Sequence, residues 1–168
     1  MTKPRGFIAG ASAFALVVSS IFIAPALATP GSNFTPSPIV SGNFGTLNVN
    51  TANDKTGKWG LHLKTLDSTD IGADRLTVQA GGFSGWHAHP APVFVTVTQG
   101  SIVWYNGSDP LCTGHSYSAG QSFIEDAYVV HNVTSANGAE FIAVVIKPAG
   151  FPGPQFRLNR DKPNNCKF

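Results

Sequence analysis

Apolar and polar side chains alternate with a period of two along most of the chain, and β-branched and aromatic residues are frequent among them. No helix-length stretch carries a sustained amphipathic stripe with caps. The pattern predicts strands over residues 58–66, 75–80, 93–98, 101–105, 116–117 with their neighbours, 122–125, 128–133 and 140–147. Turns are marked by Gly81-Gly82, Gln99-Gly100, Asn106-Gly107, Ala119-Gly120 and Asn137-Gly138, all of which tolerate positive φ. Gln99-Gly100 is expected to close a two-residue hairpin between the strands at 93–98 and 101–105. Many short strands with regular punctuation imply an all-β sandwich or barrel in one domain, and Phe94, Trp104, Phe123 and Phe141 are assigned to its core.

Against this background three histidines stand out. His87 and His89 are one residue apart, so in an extended strand both leave the same face while Ala88 points away. Together with His131 they supply three neutral imidazoles, a ligand set for a divalent transition metal; Fe, Mn, Zn, Cu and Ni are not distinguished by it. The structural alternative places His87 and His89 in a solvated turn beside Pro90 and Pro92, with His131 a satisfied core residue.

The first residues change the picture of where the protein works. Lys3 and Arg5 precede an apolar run from Phe7 to Ala24, and Ala26-Leu27-Ala28 forms a small-x-small cleavage pattern. Residues 1–28 are therefore expected to be a signal peptide, with a secreted or periplasmic product; an uncleaved membrane anchor is the alternative. Of the 11 basic residues, Lys3 and Arg5 belong to this leader, which leaves nine against nine acidic ones. With no basic stripe, nucleic acid is excluded as a partner and a small molecule is favoured. After cleavage no membrane partner is expected. Residues 29–57 read as an extended arm or an edge strand anchored by Phe44 and Leu47.

In an oxidising compartment Cys112 and Cys166 are read as one disulfide. It ties the tail at 148–168 to the loop near Pro110 and is worth about 4 kcal/mol in the chain-entropy description. Thiolate binding to a metal, with His115 three residues from Cys112, is the competing reading.

Gly81, His87, His89 and Gly100 fall at the spacings of the first motif of the cupin superfamily, and Gly120 and His131 at those of its second. The chain resembles that superfamily over about 58–147, and in particular small exported bacterial cupin-domain proteins of the type-2 kind. The resemblance implies a double-stranded β-helix, or jelly-roll barrel, with a metal in its bore, and a homodimer as a common assembly. Departures from the motifs bear on function. The usual glutamate ligand is replaced by Val93, the motif-two proline and glycine by Asp126 and Tyr128, and the usual asparagine by Ser135.

Three imidazoles without a carboxylate leave a divalent ion its full charge and open positions. Glu125 shares a face with Phe123 and lies upstream of His131, which makes it a candidate fourth ligand or general base; the alternative is a solvated turn with Asp126. Tyr128 is a second catalytic candidate through its hydroxyl. Trp86 is out of phase with the histidines and is expected to pack at the barrel lip, His62 to face the surface, and Arg75 to be solvated. Signatures of serine hydrolases, phosphate loops and dinucleotide sites are absent. The expected function is a metal-dependent enzyme acting on a small organic molecule, with dioxygenase-like oxidation leading. A metal-dependent isomerase or lyase and a non-catalytic periplasmic binding module are the alternatives.

Overall fold

The residues on either side of Gly100 do not fold back on each other. The computed structural model describes residues 30–51, 57 and 59–167, and in it 93–106 form one continuous strand. The predicted signal peptide at 1–28, part of the predicted arm and Lys58 lie outside the described residues.

The elements are β1 (Ser32–Asn43), β2 (Asn48–Asn50), β3 (His62–Lys64), β4 (Thr69–Phe83), β5 (His87–Ala88), β6 (Val93–Asn106), β7 (Gly114–Ser118), β8 (Ser122–Glu125), β9 (His131–Ser135), β10 (Ala139–Pro148), α1 (Gly153–Phe156) and β11 (Leu158–Asn159). β2 and β3 make a small two-stranded sheet; the other nine strands form one sheet that runs β1-β4-β10-β6-β9-β5-β11, with β7 and β8 also paired to β6. Among the described residues no helix is long and apolar enough to cross a membrane.

β6 explains how the sheet closes. Its first half pairs with β10, from Val93 opposite Val145 to Gly100 opposite Ala139, and with β8. Its second half pairs with β7 and β9, from Ser101 opposite Ser118 to Asn106 opposite His131. β4 does the same, pairing with β10 along most of its length and with β9 at Gly82 and Phe83. Strands that pass from one layer to the other roll the sheet into a barrel. The predicted hairpin at Gln99-Gly100 is therefore corrected to a corner. Gly100 bends the strand with φ +69°, and a Cβ there would run into the Gly138 carbonyl. A register shift beside it places Gln99 opposite Glu140 but Val97 opposite Phe141.

The period-two pattern sorts the faces as expected on the strands that matter for the site. Val93, Val95 and Val97 on β6 and Phe141, Ala143 and Val145 on β10 are buried in the barrel core with Val78, Ile102 and Val133. Phe94 is the exception to the assigned core: it is out of phase with Val93 and Val95 and remains 42% exposed on the outer face. Trp104 and Phe123 pack against the core in part.

The arm is an edge strand. β1 pairs along β4 from Asn43 opposite Asp70 to Ser32 opposite Phe83, and its Pro36 and Pro38 suit an edge because they need no ladder donor. Its apolar anchor differs from the expectation. Phe44 is exposed, whereas Phe34 packs against Phe141 with ring centroids 6.1 Å apart.

Cys112 and Cys166 form the disulfide, Cα to Cα 5.3 Å, which removes the thiolate alternative. It sits under Trp86 in a second buried cluster with Tyr105 and Val130. The tail is thereby held against the barrel, and β11 can add to β5.

Candidate metal centre

β5 is only two residues long, yet it is flanked on both sides: His87 is opposite His131 of β9 and opposite Asn159 of β11. Alternation turns Ala88 and Trp86 away into full burial and leaves the rings of His87 and His89 on one side. Centroids are 4.9 Å apart for His87 and His89, 4.3 Å for His87 and His131, and 5.2 Å for His89 and His131. One ring nitrogen from each lies within 4.8 Å of the others. The solvated-turn alternative is excluded, since His87 is buried and the His89 side chain is only 12% exposed, and His131 is not a satisfied core residue because its buried Nε2 has no hydrogen-bond partner among the described residues.

Each ring is oriented by a backbone carbonyl. Nδ1 of His87 donates to Gly85 O at 2.8 Å, Nδ1 of His131 to Val129 O at 2.9 Å and Nδ1 of His89 to Phe156 O at 3.1 Å. A carbonyl only accepts, so the proton of each neutral ring is on Nδ1 and the lone pair on Nε2. His89 is further held by Phe156, whose ring stacks on it with centroids 5.1 Å apart.

Glu125 completes the group. It is buried, and its carboxylate oxygens lie 3.4 Å from His89 Nε2 and 3.3 Å from His131 Nε2. The contact to His131 lacks hydrogen-bond geometry, so that nitrogen is buried with no hydrogen-bond partner among the described residues. Lone pairs of buried imidazoles thus face a carboxylate, an arrangement of acceptors against acceptors that only positive charge can join. A divalent ion fits this donor set, and so would a proton on a ring.

The electrostatics favour unprotonated His87 and His131. Burial pushes His87 well below the usual histidine range, helped by repulsion from His131, Arg157 and His89, with the Gly85 carbonyl opposing. Burial also lowers His131, against the pull of Glu125. For Glu125 itself burial opposes ionisation, but His131 and His89 beside it hold the carboxyl below its usual range. Neutral imidazoles beside an ionised carboxylate are the states that bind a metal.

A cavity of about 760 Å³ is lined by His87, His89 and Glu125 together with apolar side chains such as Leu76, Val93 and Phe141. His131 sits behind, fully buried.

The other sequence candidates are placed as follows. Tyr128 is not brought to the site: it is 66% exposed in a turn with φ +62°, and its amide donates to the His89 carbonyl. Its backbone carries the contact, so the hydroxyl is left outside. His62 and Arg75 are on the surface, Arg75 beside Glu140 at 3.5 Å.

Two residues at the site have no counterpart in the sequence reading. Phe156 covers His89, and Arg157 lines the cavity with its guanidinium donating from Nη2 to Ser84 O and from Nε to Asn159 Oδ1 at 3.0 Å. Burial lowers the Arg157 pKa, opposed by Glu125. The one sequence signal for either was the cysteine pair, which located the tail's end but not its path over β5.

The family described as Cupin domain matches residues 74–147, which hold His87, His89, Glu125 and His131. Among solved structures, an RmlC-like cupin from Shewanella frigidimarina is 16% identical, with 79% of this chain and 94% of that one covered at a TM-score of 0.46. A polyketide cyclase from Streptomyces resistomycificus is 8% identical over 83% of this chain and 91% of its own, TM-score 0.47. A cupin domain from Bordetella pertussis is 18% identical over 70% and 95%, TM-score 0.44. At these values the likeness transfers no activity. No curated protein matches the chain.

Proposed function

This chain is a member of the cupin superfamily, and we propose that it is an exported metal-dependent enzyme of small-molecule chemistry, with His87, His89 and His131 as metal ligands and Glu125 as fourth ligand or general base. The observation that carries the reading is the orientation of the rings. Three Nδ1–H groups are tied to carbonyls, one ring nitrogen from each histidine lies within 4.8 Å of the others, and the Nε2 lone pairs of His89 and His131 face one buried carboxylate.

When bound, a divalent ion supplies Lewis acidity and, for iron or copper, a redox couple suited to dioxygen. The protein's own contribution is positional. The carbonyls of Gly85, Val129 and Phe156 set the tautomers, and Glu125 is placed to take a proton from a substrate lying in the cavity. Val93, Val133 and Phe141 exclude water from the cavity wall. Oxidation of the dioxygenase kind is the leading reaction, because an open, largely apolar chamber beside imidazole ligands suits oxygen and an organic substrate together.

The test is elemental analysis of the purified protein, followed by oxygen uptake with phenols, thiols and diketones. One equivalent of iron or copper, lost in His131→Gln, with substrate-dependent oxygen consumption is the expected result. No retained metal in the wild type, or equal metal in the wild type and His131→Gln, overturns the metal centre. Retained metal with ligand binding but no turnover would make the protein a binding module instead.

A further inference from the structure

Arg157 brings a cation into a chamber whose wall is mostly hydrocarbon, and nothing in the metal chemistry requires it. The side chain arrives from the tail just after α1, half-buried, and two of its five N–H donors are used on Ser84 O and Asn159 Oδ1. Those bonds fix the plane of the guanidinium at the cavity wall. The ion pairs among the described residues are Arg75 with Glu140, and His89 and His131 with Glu125; Arg157 joins none of them. Its two partners place it beside the metal position, since Ser84 lies three residues before His87 and Asn159 pairs with His87 across β5 and β11.

A charge count then points to the ligand. Asp74 and Lys147 also line the cavity and offset each other. With a divalent ion held, Glu125 and Arg157 offset each other as well, and two positive charges remain in poorly solvated surroundings, a costly state that one bound carboxylate halves. Hydroxide or chloride would answer the charge but would leave the apolar wall formed by Phe34, Leu76, Phe141 and Val145 without an occupant. A guanidinium fork suits a planar carboxylate in particular.

We infer that the site takes an organic monocarboxylic acid, its carboxylate held by Arg157 beside the metal position and its hydrocarbon body against the apolar wall. This rests on the proposed metal centre for the charge count, and on Arg157 and the cavity alone for the recognition of the carboxylate.

Calorimetric titration with octanoate and octanamide, which differ only in the head group, tests it on the metal-loaded protein. Octanoate is expected to bind at least about tenfold more tightly than octanamide, and Arg157→Gln to reduce that preference severalfold while the metal content measured in parallel is unchanged. Equal binding of the two probes by the wild type, or an undiminished preference in Arg157→Gln, overturns the inference. Should Arg157→Gln fail to fold, Arg157→Lys replaces it: a reduced preference supports the carboxylate contact, an unaltered one overturns it. Should the wild type hold no metal, the metal reading fails by itself, and the same titration of the metal-free protein still decides whether Arg157 selects the acid.

Discussion

Val93 and Glu125 stand directly opposite each other on β6 and β8, both buried on the inner face of the barrel. Val93 occupies the motif position where cupins usually carry a glutamate ligand, so the carboxylate has not been lost from the site but sits across one ladder rung. Directly opposed side chains of an antiparallel pair have Cβ atoms about 5 Å apart, a distance a glutamate spans.

Exchanging the two side chains should therefore conserve the centre. Glu125→Val alone is expected to weaken metal binding at least about tenfold, by analogy with the loss of groups that support a metal. Adding Val93→Glu to that variant should recover most of the affinity. Competition with a chromophoric chelator measures both, and a double variant no better than the single one would show that the rung is not equivalent.

Acid should destabilise the metal-free protein from near neutrality downward. His87 and His131 are depressed below the ordinary 6.5, so as pH falls through 6.5 the unfolded chain takes up protons that the native chain refuses. Glu125, also depressed, acts in the same direction at lower pH: its contribution is present above the unfolded carboxylate value and lost as the folded one is crossed. Urea midpoints should fall steadily between about pH 7.5 and about pH 5, and His87→Gln should flatten the upper part of that slope. A pH-independent midpoint in the wild type would contradict the burial argument.

Removing the disulfide should affect the metal as well as the fold. The Cys112→Ser, Cys166→Ser variant loses a constraint across a separation of 54 residues, worth up to about 4 kcal/mol in denaturant midpoints. It also loosens the tail that supplies the Phe156 carbonyl to His89. Metal affinity should drop with stability, even under conditions where circular dichroism shows the variant folded. Wild-type affinity in such a folded variant would mean that β11 alone holds the tail.

Gly100→Ala should cost about 2 kcal/mol or more, since it combines a left-handed backbone with a collision against the Gly138 carbonyl. Gly120→Ala is the control. It also has positive φ, +88°, but no neighbour within 4 Å of an added Cβ, so it carries strain without collision and should cost less. Thermal or urea denaturation of the two ranks them.

Much of the centre was legible in the sequence because it depends on local alternation. His87 and His89 had to share a face if 87–89 is extended, whereas the same period does not say which face of 93–97 is inward: the pattern assigns Phe94 to the core, and Val93, Val95 and Val97 occupy it. The hairpin at Gln99-Gly100 failed for a related reason. A glycine with positive φ serves a reversal and a corner equally well, and the choice was made by β9 and β10, which offer partners to both halves of β6.

By itself the sequence determined the alternation along the strands, the shared face of His87 and His89, the three imidazoles and the cysteine pair, all of which follow from residue type and spacing along the chain. Only the tertiary structure decided that Glu125 faces Val93, that Phe44 and Phe94 lie outside, and that Phe156 and Arg157 reach the site from the tail. Those facts depend on register between strands far apart in sequence. Register is set by the packing of whole faces against one another, a quantity that no local period contains.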